Sequence, residues 1–273
     1  KKIPLPADDF YGNVCIGKDG SVLLSAGMDD GIRVWKLDTK KGTYDKQAAA
    51  YKNFYSDINA VSGAGSYDFF CAKENGIYGF TLDSSEPTLF LDYVASDLLI
   101  SSAGSFAVMS DKSVLLTCYD EDDGTSLKLL KKVDSAKVAE KKIITLGCTN
   151  PDMELRKAVV DFNRNSKKYR ISILEYPYVE EEDGIWASQL NTQIATGNIP
   201  DMICVNEEMP LQSYAAKCLF EDIGERFAKD PELSKNEYMM NVLDAFKIGG
   251  KMYFTVPSFA VIGLMGKQSD FQN

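Results

Sequence analysis

The sequence predicts a multidomain chain, an all-β repeat region followed by an α/β lobe, and two observations carry that prediction. In the first half the turn pairs Asp30-Gly31, Asn75-Gly76 and Asp123-Gly124 recur 45 and 48 residues apart, each followed by a strand-like run that ends in Asp. Such pairs accept the positive φ angles of a two-residue hairpin loop, so each marks a tight return between two strands. In the second half the hairpin signals stop, and apolar runs of strand length alternate with runs of helical period.

Taken in order, the runs after the turns are Ile32-Arg-Val-Trp-Lys-Leu-Asp38, Ile77-Tyr-Gly-Phe-Thr-Leu-Asp83 and Ser126-Leu-Lys-Leu-Leu-Lys-Lys-Val-Asp134. Further β-rich runs precede the turns at 22–26, 67–72 and 113–119, and small-residue turns at 17–20, 62–65 and 102–104 come before those. Four short strands recurring every 40 to 50 residues or so are the signature of a propeller blade, so residues 1–134 read as about three all-β, propeller-like blades. Val34-Trp-Lys-Leu-Asp38 resembles the closing strand of such a blade. Three blades do not close a ring, which takes about 4 to 8. The expectation is therefore that the sequence starts inside the ring, with further blades upstream. The alternative is a meander or sandwich of unrelated hairpins.

Between 135 and 142 the composition turns to Ser, Ala, Lys and Glu, which reads as a linker, and residues 143–273 form the α/β lobe. The stretch 143–146 is its first strand. Asn150 is placed to cap the next helix, with Pro151 at the first helical position, where a missing N–H costs nothing. Leu155, Ala158, Val159 and Phe162 give that helix its buried face, and 171–174 is the second strand. The acidic run 180–183 precedes a helix and suits the positive end of its dipole, a reading that outweighs a metal or catalytic role. In that helix Ala187, Leu190 and Ile194 share one face. Gly197 ends it in the left-handed conformation and Pro200 forbids more helix. Residues 202–205 form an unbroken apolar run, the pattern of a parallel strand covered on both faces. Pro210 opens another helix with Leu211, Tyr214, Ala215 and Cys218 on its buried face. Ser234 and Glu237 read as a capping box for the next, whose face is Met239, Val242, Leu243 and Phe246. Gly249-Gly250 stops that helix, and 252–256 and 259–265 are the last strands.

Composition narrows the function. Residues 1–140 hold 15 basic and 21 acidic side chains and residues 141–273 hold 15 and 19, so both halves contribute to the net charge of −10. Neither half offers the basic field that nucleic acid or anionic lipid requires, and a neutral ligand fits better than a polyanion. The six cysteines include no CxxC pair and the chain has no histidine, which removes zinc-finger spacing and any Cys-His couple. Most of the six read as buried small hydrophobes, with Cys71 and Cys118 in similar places in their repeats. No apolar run approaches the roughly 18 residues of a membrane span. Lys1 does not read as a natural start, so an upstream targeting segment is expected.

Catalysis has little support. Histidine, the commonest general base, is absent, and neither a GxSxG elbow nor a GxxxxGK[ST] phosphate loop occurs. Glu180 and Asp183 could serve a glycosidase as a carboxylate pair, but nothing directs them at one bond. The reading is of a protein that is not an enzyme and carries no cofactor or metal.

Three stretches carry a family resemblance. Thr192-Gln-Ile-Ala-Thr-Gly-Asn-Ile-Pro-Asp201 resembles the segment of extracellular solute-binding proteins of ABC importers in which a helix ends at a small residue plus Gly and a Pro-Asp pair opens a strand. Leu219-Phe-Glu-Asp-Ile223 is similar to that family's stretch closing the next helix. Gly249-Gly-Lys-Met-Tyr253, followed by Val256-Pro-Ser-Phe259, is similar to its crossing strand, where the chain leaves the first lobe. The resemblance covers about residues 141–273 and implies the first lobe of a periplasmic-binding-protein-type fold, incomplete here because only eight residues follow Met265.

In open α/β sheets ligands bind beyond the carboxyl ends of the strands. The loops expected there contain Thr149, Asn150, Tyr176, Tyr178, Asn206, Glu207, Ser258 and Phe259. Hydroxyl, amide and carboxylate groups beside aromatic faces suit a sugar. Against that, Tyr176 and Tyr178 could serve packing alone, and Asn206 could cap the helix at Pro210. The resemblance implies a secreted or lipid-anchored substrate-binding component that takes a sugar or oligosaccharide, closes by a hinge and docks on a membrane permease. It also implies weak binding without a second lobe. The alternative is an interaction module whose propeller binds a protein or surface glycan.

Overall fold

The computed structural model describes residues 2–3, 12–45, 49–52, 54–55, 60–100, 102–120, 124–134, 140–176, 185–206 and 209–256. They are mostly β-sheet with few helices, and no described sheet closes into a barrel. The chain divides into two compact units, residues 1–178 with 197–203, and residues 179–196 with 204–273. Of the expected linker, 135–142, residues 135–139 lie outside the described residues.

The first unit begins with three antiparallel meanders. β1 (Gly12–Ile16), β2 (Val22–Met28), β3 (Gly31–Asp38) and β4 (Thr43–Tyr44) pair in sequence, and β5 (Ala49–Lys52) adds to β3. β6 (Val61–Ala64), β7 (Tyr67–Lys73), β8 (Gly76–Phe80) and β9 (Thr88–Asp92) make the second meander, and β10 (Ser102–Val108), β11 (Val114–Asp120) and β12 (Gly124–Leu130) the third. Two of the predicted turns close two-residue loops, Met28 pairing with Gly31 and Lys73 with Gly76. The third is one residue longer, with Asp120 opposite Gly124, whose φ of 69° a Cβ would oppose.

Successive residues of a strand point to opposite faces, and β7 uses both. Phe69 and Cys71 pack towards the first meander, with Cys15, Leu23, Ile32, Val34, Tyr51 and Phe80. Phe70 and Ala72 pack towards the third, with Ile77, Phe106, Val114, Leu116 and Cys118. The second meander is thus a middle layer covered on both sides. Phe69 and Phe80 stack at 4.5 Å, and Tyr51 meets Phe80 edge-on at 4.8 Å. Buried Asp68 pairs with Lys18 at 3.0 Å and accepts the Leu82 N–H, while the Tyr51 hydroxyl donates to the Thr81 carbonyl, tying the first two layers together.

The unit continues with a parallel sheet. β13 (Lys142–Thr149) is central, with β14 (Tyr169–Tyr176) on one side and β15 (Met202–Ile203) on the other; α1 (Met153–Asn165) joins β13 to β14. β15 is shorter than the apolar run predicted, and Met202 is exposed. The cap of α1 is Asp152, whose carboxylate accepts the Leu155 N–H at 2.8 Å; Asn150, expected there, lies before it with a φ of 43°, and Pro151 stays outside the helix. The buried face is also rotated from the expected one. It carries Arg156, Val159, Val160 and Asn163, with Phe162 exposed, because Asn163 sits fully buried against β14. Its amide donates to the Ile171 carbonyl at 2.9 Å and its oxygen accepts the Ile171 N–H at 2.7 Å, supplying the partners that a lone edge strand lacks.

Two cations and one amide fasten this sheet to the second meander and the turn after it. Arg170 pairs with Asp97 at 2.9 Å and donates to the Val94 carbonyl, and Arg164 donates twice to the Asp97 carbonyl. Arg156 pairs with Glu175 at 3.6 Å, and the Asn75 amide reaches the same carboxylate from the β7–β8 turn.

The second unit is helical: α2 (Ile185–Thr196), α3 (Leu211–Ala216), α4 (Gly224–Lys229) and α5 (Met240–Ala245). Leu190 is fully buried and Ile194 half-buried, and Gly197 follows α2 with a φ of 74°, as its role as terminator requires. Tyr214 and Ala215 are buried as expected, but Cys218 is exposed. It is the left-handed residue that ends α3, with a φ of 56° and the Leu219 N–H reaching back to the Tyr214 carbonyl. The expected capping box at Ser234 and Glu237 does not form. Ser234 lies within a 3-10 turn, Leu233–Lys235, and α5 starts only at Met240, leaving Met239 and Phe246 exposed. Gly249 and Gly250, with φ of 59° and 80°, turn the chain after α5. Residues 252–256 join no ladder, because Met252 spends its backbone groups on Asp222 and Ile223. The expected strand 259–265 lies outside the described residues.

Candidate functional site

A sheet ordered β14-β13-β15 has its first strand in the middle, so the winding direction reverses at β13. Such a reversal parts the loops at the carboxyl ends of the strands, and the crevice it opens is where open α/β sheets take ligands. The candidate site is therefore the carboxyl edge of β13.

Two predicted residues meet there directly. Thr149 and Tyr176 are register partners at the last positions of β13 and β14. Thr149 is half-buried, and exposed Asn150 follows it in the left-handed region. Asn tolerates that conformation better than most residues because it lacks β-branching and bonds locally. Tyr176 is 4% exposed, and its ring lies over Gly147, where a Cβ would come within 2.9 Å of the ring and 3.0 Å of the Pro200 side chain. Gly147 is thus the close approach that lets the Tyr176 ring pack against β13. Burial pushes the Tyr176 phenol above its ordinary value, so it stays neutral and can donate a hydrogen bond.

The Pro-Asp pair explains how β15 is set beside β13. The Asp201 carboxylate accepts both the Thr145 N–H and the Thr145 hydroxyl at 2.8 Å, and the Thr145 oxygen accepts the Asp201 N–H at 2.9 Å. These bonds, the Thr145 N–H first, hold the Asp201 carboxyl below its ordinary value. The reciprocal pair fixes the register Leu146 to Met202 and so aligns the strand ends. Beneath the loop, Arg156 is 5% exposed and donates to the Pro151 carbonyl at 3.0 Å. It braces 147–152 from the helix side, with Glu175 balancing its charge.

Sequence reasoning missed Thr145, Arg156 and Glu175. The Pro-Asp motif was a signal for the first, since an Asp opening a strand needs a donor. Nothing in the local pattern announced Arg156, which occupies a helix position that reads as solvent-facing.

Asn206 is half-buried and belongs to the second unit, three residues past the end of β15. In the same unit Asp222 accepts the N–H groups of Gly224 and Met252, and the Ile223 N–H donates to the Met252 carbonyl at 2.8 Å. The two later family-like stretches are therefore bonded to each other. Tyr178, Glu207, Ser258 and Phe259 lie outside the described residues. Among the described residues no three metal-ligating side chains come together, and no helix is long and apolar enough to cross a membrane.

No protein-family model matches the chain. The methylosome protein WDR77 of Xenopus laevis is 25% identical over 135 residues, 48% of this chain and 38% of that protein. Among solved structures, the ABC substrate-binding protein Lmo0181 from Listeria monocytogenes, in complex with cycloalternan, is similar with a TM-score of 0.35 and 25% identity. The likeness covers 41% of this chain and 28% of that one. The apo-form of RafE from Streptococcus pneumoniae is similar with a TM-score of 0.30 and 17% identity over 42% of this chain and 27% of that one. The chain spans well under half the length of each of these proteins.

Proposed function

We propose that this chain carries part of an extracellular or lipid-anchored, non-catalytic substrate-binding component of an ABC importer, which takes a neutral sugar or oligosaccharide. In this reading residues 1–134 are propeller-like blades, 135–142 a linker and 143–273 part of a solute-binding lobe. The observation that supports it most is the reversal at β13, where Thr149 lies in register beside Tyr176, exposed Asn150 follows it, and the Tyr176 ring packs on Gly147. A hydroxyl and an amide on a braced loop offer donor and acceptor groups without a formal charge, which is what a sugar hydroxyl needs. The ligand then favours a closed form through contacts that the open form lacks, and the closed form docks on a permease.

Isothermal titration against a panel of neutral oligosaccharides tests the reading. At least one should bind, and Asn150→Ala should weaken it by about tenfold, the equivalent of about 1.4 kcal/mol. Silence across the panel, with a protein recovered by pull-down, would favour the interaction-module reading, to which the similarity to a methylosome protein lends support.

A further inference from the structure

The three hairpin turns differ at one residue. They carry Asp30-Gly31, Asn75-Gly76 and Asp123-Gly124, so an amide replaces a carboxylate in the second turn alone. Its surroundings give a reason. The Asn75 amide donates to the Glu175 carboxylate at 3.4 Å, and an Asp in its place would set two carboxylates against each other. Asp30, by contrast, pairs with Arg33 of its own meander at 2.8 Å.

Asn75 is a fixed point. Its backbone carbonyl accepts the Tyr93 N–H at 3.1 Å, and its side-chain oxygen accepts the Tyr78 hydroxyl at 3.1 Å, which leaves the NH2 end of the amide for Glu175. Burial pushes the Tyr78 phenol above its ordinary value, so it keeps the proton that it donates. Gly76 lets the turn lie close to β9, since a Cβ there would come within 2.1 Å of the Leu91 carbonyl oxygen.

From Glu175 the contacts lead to the candidate site. The oxygen that accepts from Asn75, Oε2, is also the one that meets the Arg156 guanidinium at 3.6 Å. Buried Arg156 in turn donates its Nε–H to the carbonyl of Pro151, which directly follows Thr149 and Asn150. The Glu175 side chain is 37% exposed, so without the Asn75 amide it is free to turn to water. A buried guanidinium would then lose its balancing charge, which is costly.

We propose that Asn75 is a positioning residue for the candidate site, holding Glu175 so that Arg156 keeps residues 149–151 in their binding geometry. The proposal deepens the sugar-binding reading and rests on it. The second meander is then a rigid support of the site rather than a separate module. A loop held in place beforehand binds more tightly, because less ordering is left for the ligand to bring about.

Two readouts on the full chain test this: NMR exchange of the Arg156 Nε–H with water, and isothermal titration with a panel of neutral oligosaccharides. Asn75 is not among the residues with a positive φ, so Asn75→Ala brings no backbone strain, and circular dichroism should show it folded. It should speed Arg156 Nε–H exchange about tenfold while leaving backbone exchange at Ile171 and in β7 unchanged. Any oligosaccharide that binds the unmodified chain should bind this variant about threefold more weakly. Asn75→Asp should speed the exchange at least as much. Combining it with Glu175→Gln swaps the amide and the carboxylate, leaves Tyr78 and Arg156 their partners, and should restore slow exchange. Unchanged Arg156 exchange in Asn75→Ala overturns the proposal, and so does a double variant that exchanges as fast as Asn75→Asp. Equal acceleration at Ile171 and in β7 overturns it too, since the whole unit would then have loosened. Silence of the unmodified chain with every oligosaccharide contradicts the sugar-binding reading instead, and Arg156 exchange still decides whether Asn75 holds the loop.

Discussion

In the second meander Phe69, Phe70, Ile77 and Phe80 are fully buried, and each sits where simple two-residue alternation places it. In the parallel sheet the fully buried residues include Asn163, an amide on a helix, with Arg156 nearly as deep. One region is held by apolar area on both sides of a sheet; the other is held by polar side chains that meet particular backbone groups. The difference teaches where substitutions will do harm. An apolar layer loses stability in proportion to the volume removed, whereas a polar anchor fails when one partner goes, because the group left behind is buried without a bond.

Phe69→Ala should have the largest effect, removing a ring stacked on Phe80 and edge-on to Tyr51. A loss of about 3 to 5 kcal/mol is expected, read from denaturant midpoints. A loss below about 1 kcal/mol would mean that the layers are not packed as described. Asn163→Leu sharpens the contrast, since it keeps volume but strands the Ile171 N–H and carbonyl. We expect a loss of about 1 to 3 kcal/mol, with faster hydrogen exchange at Ile171 and unchanged exchange in β7 and β8. Equal acceleration in both regions would show that they open as one unit.

The Asp201 to Thr145 anchor gives a smaller effect with a pH signature. Its carboxyl is held below the ordinary value of 3.8, so the folded state binds a proton less readily than the unfolded one. The contribution is therefore fully present above that value and is lost as pH falls through the lower folded value. The stability difference between the native chain and Asp201→Asn should be constant near neutrality and vanish in acid; a difference that grows in acid would contradict the assignment. Thiol labelling should show no stability change at all, only a ranking. Cys218 is exposed and should react first at pH 8, while Cys15, pushed up to about 11 by burial, should stay unlabelled until the fold opens. Fast labelling of Cys15 would mean that the first layer is loose.

These contrasts also show what the sequence could say. Alternation and turn pairs made the hairpins legible, because a period of two combined with Gly-closed turns leaves little freedom in register. Leu190, Gly197, Tyr214 and the Gly249-Gly250 turn were legible for the same reason: each uses a local rule. The cap and face of α1 were not, because Asn163 and Arg156 are buried by partners far from them in sequence, and apolar counting treats such residues as solvent-facing. The capping box at Ser234 failed because the chain turns twice where one helix start was read. For the candidate site, the edge of β13 followed from fold class, and Thr149, Asn150 and Tyr176 fell on it. The tie through Thr145 and Asp201 became visible only with register known.

The most direct test follows backbone amide NMR shifts of the whole chain during titration with neutral oligosaccharides, up to about 10 mM to catch weak binding. Solute binding at the reversal in the parallel sheet predicts saturable shifts at Thr149, Asn150, Glu175 and Tyr176, with β6 to β12 unmoved. Shifts confined to the meanders, or none with any sugar, would contradict it.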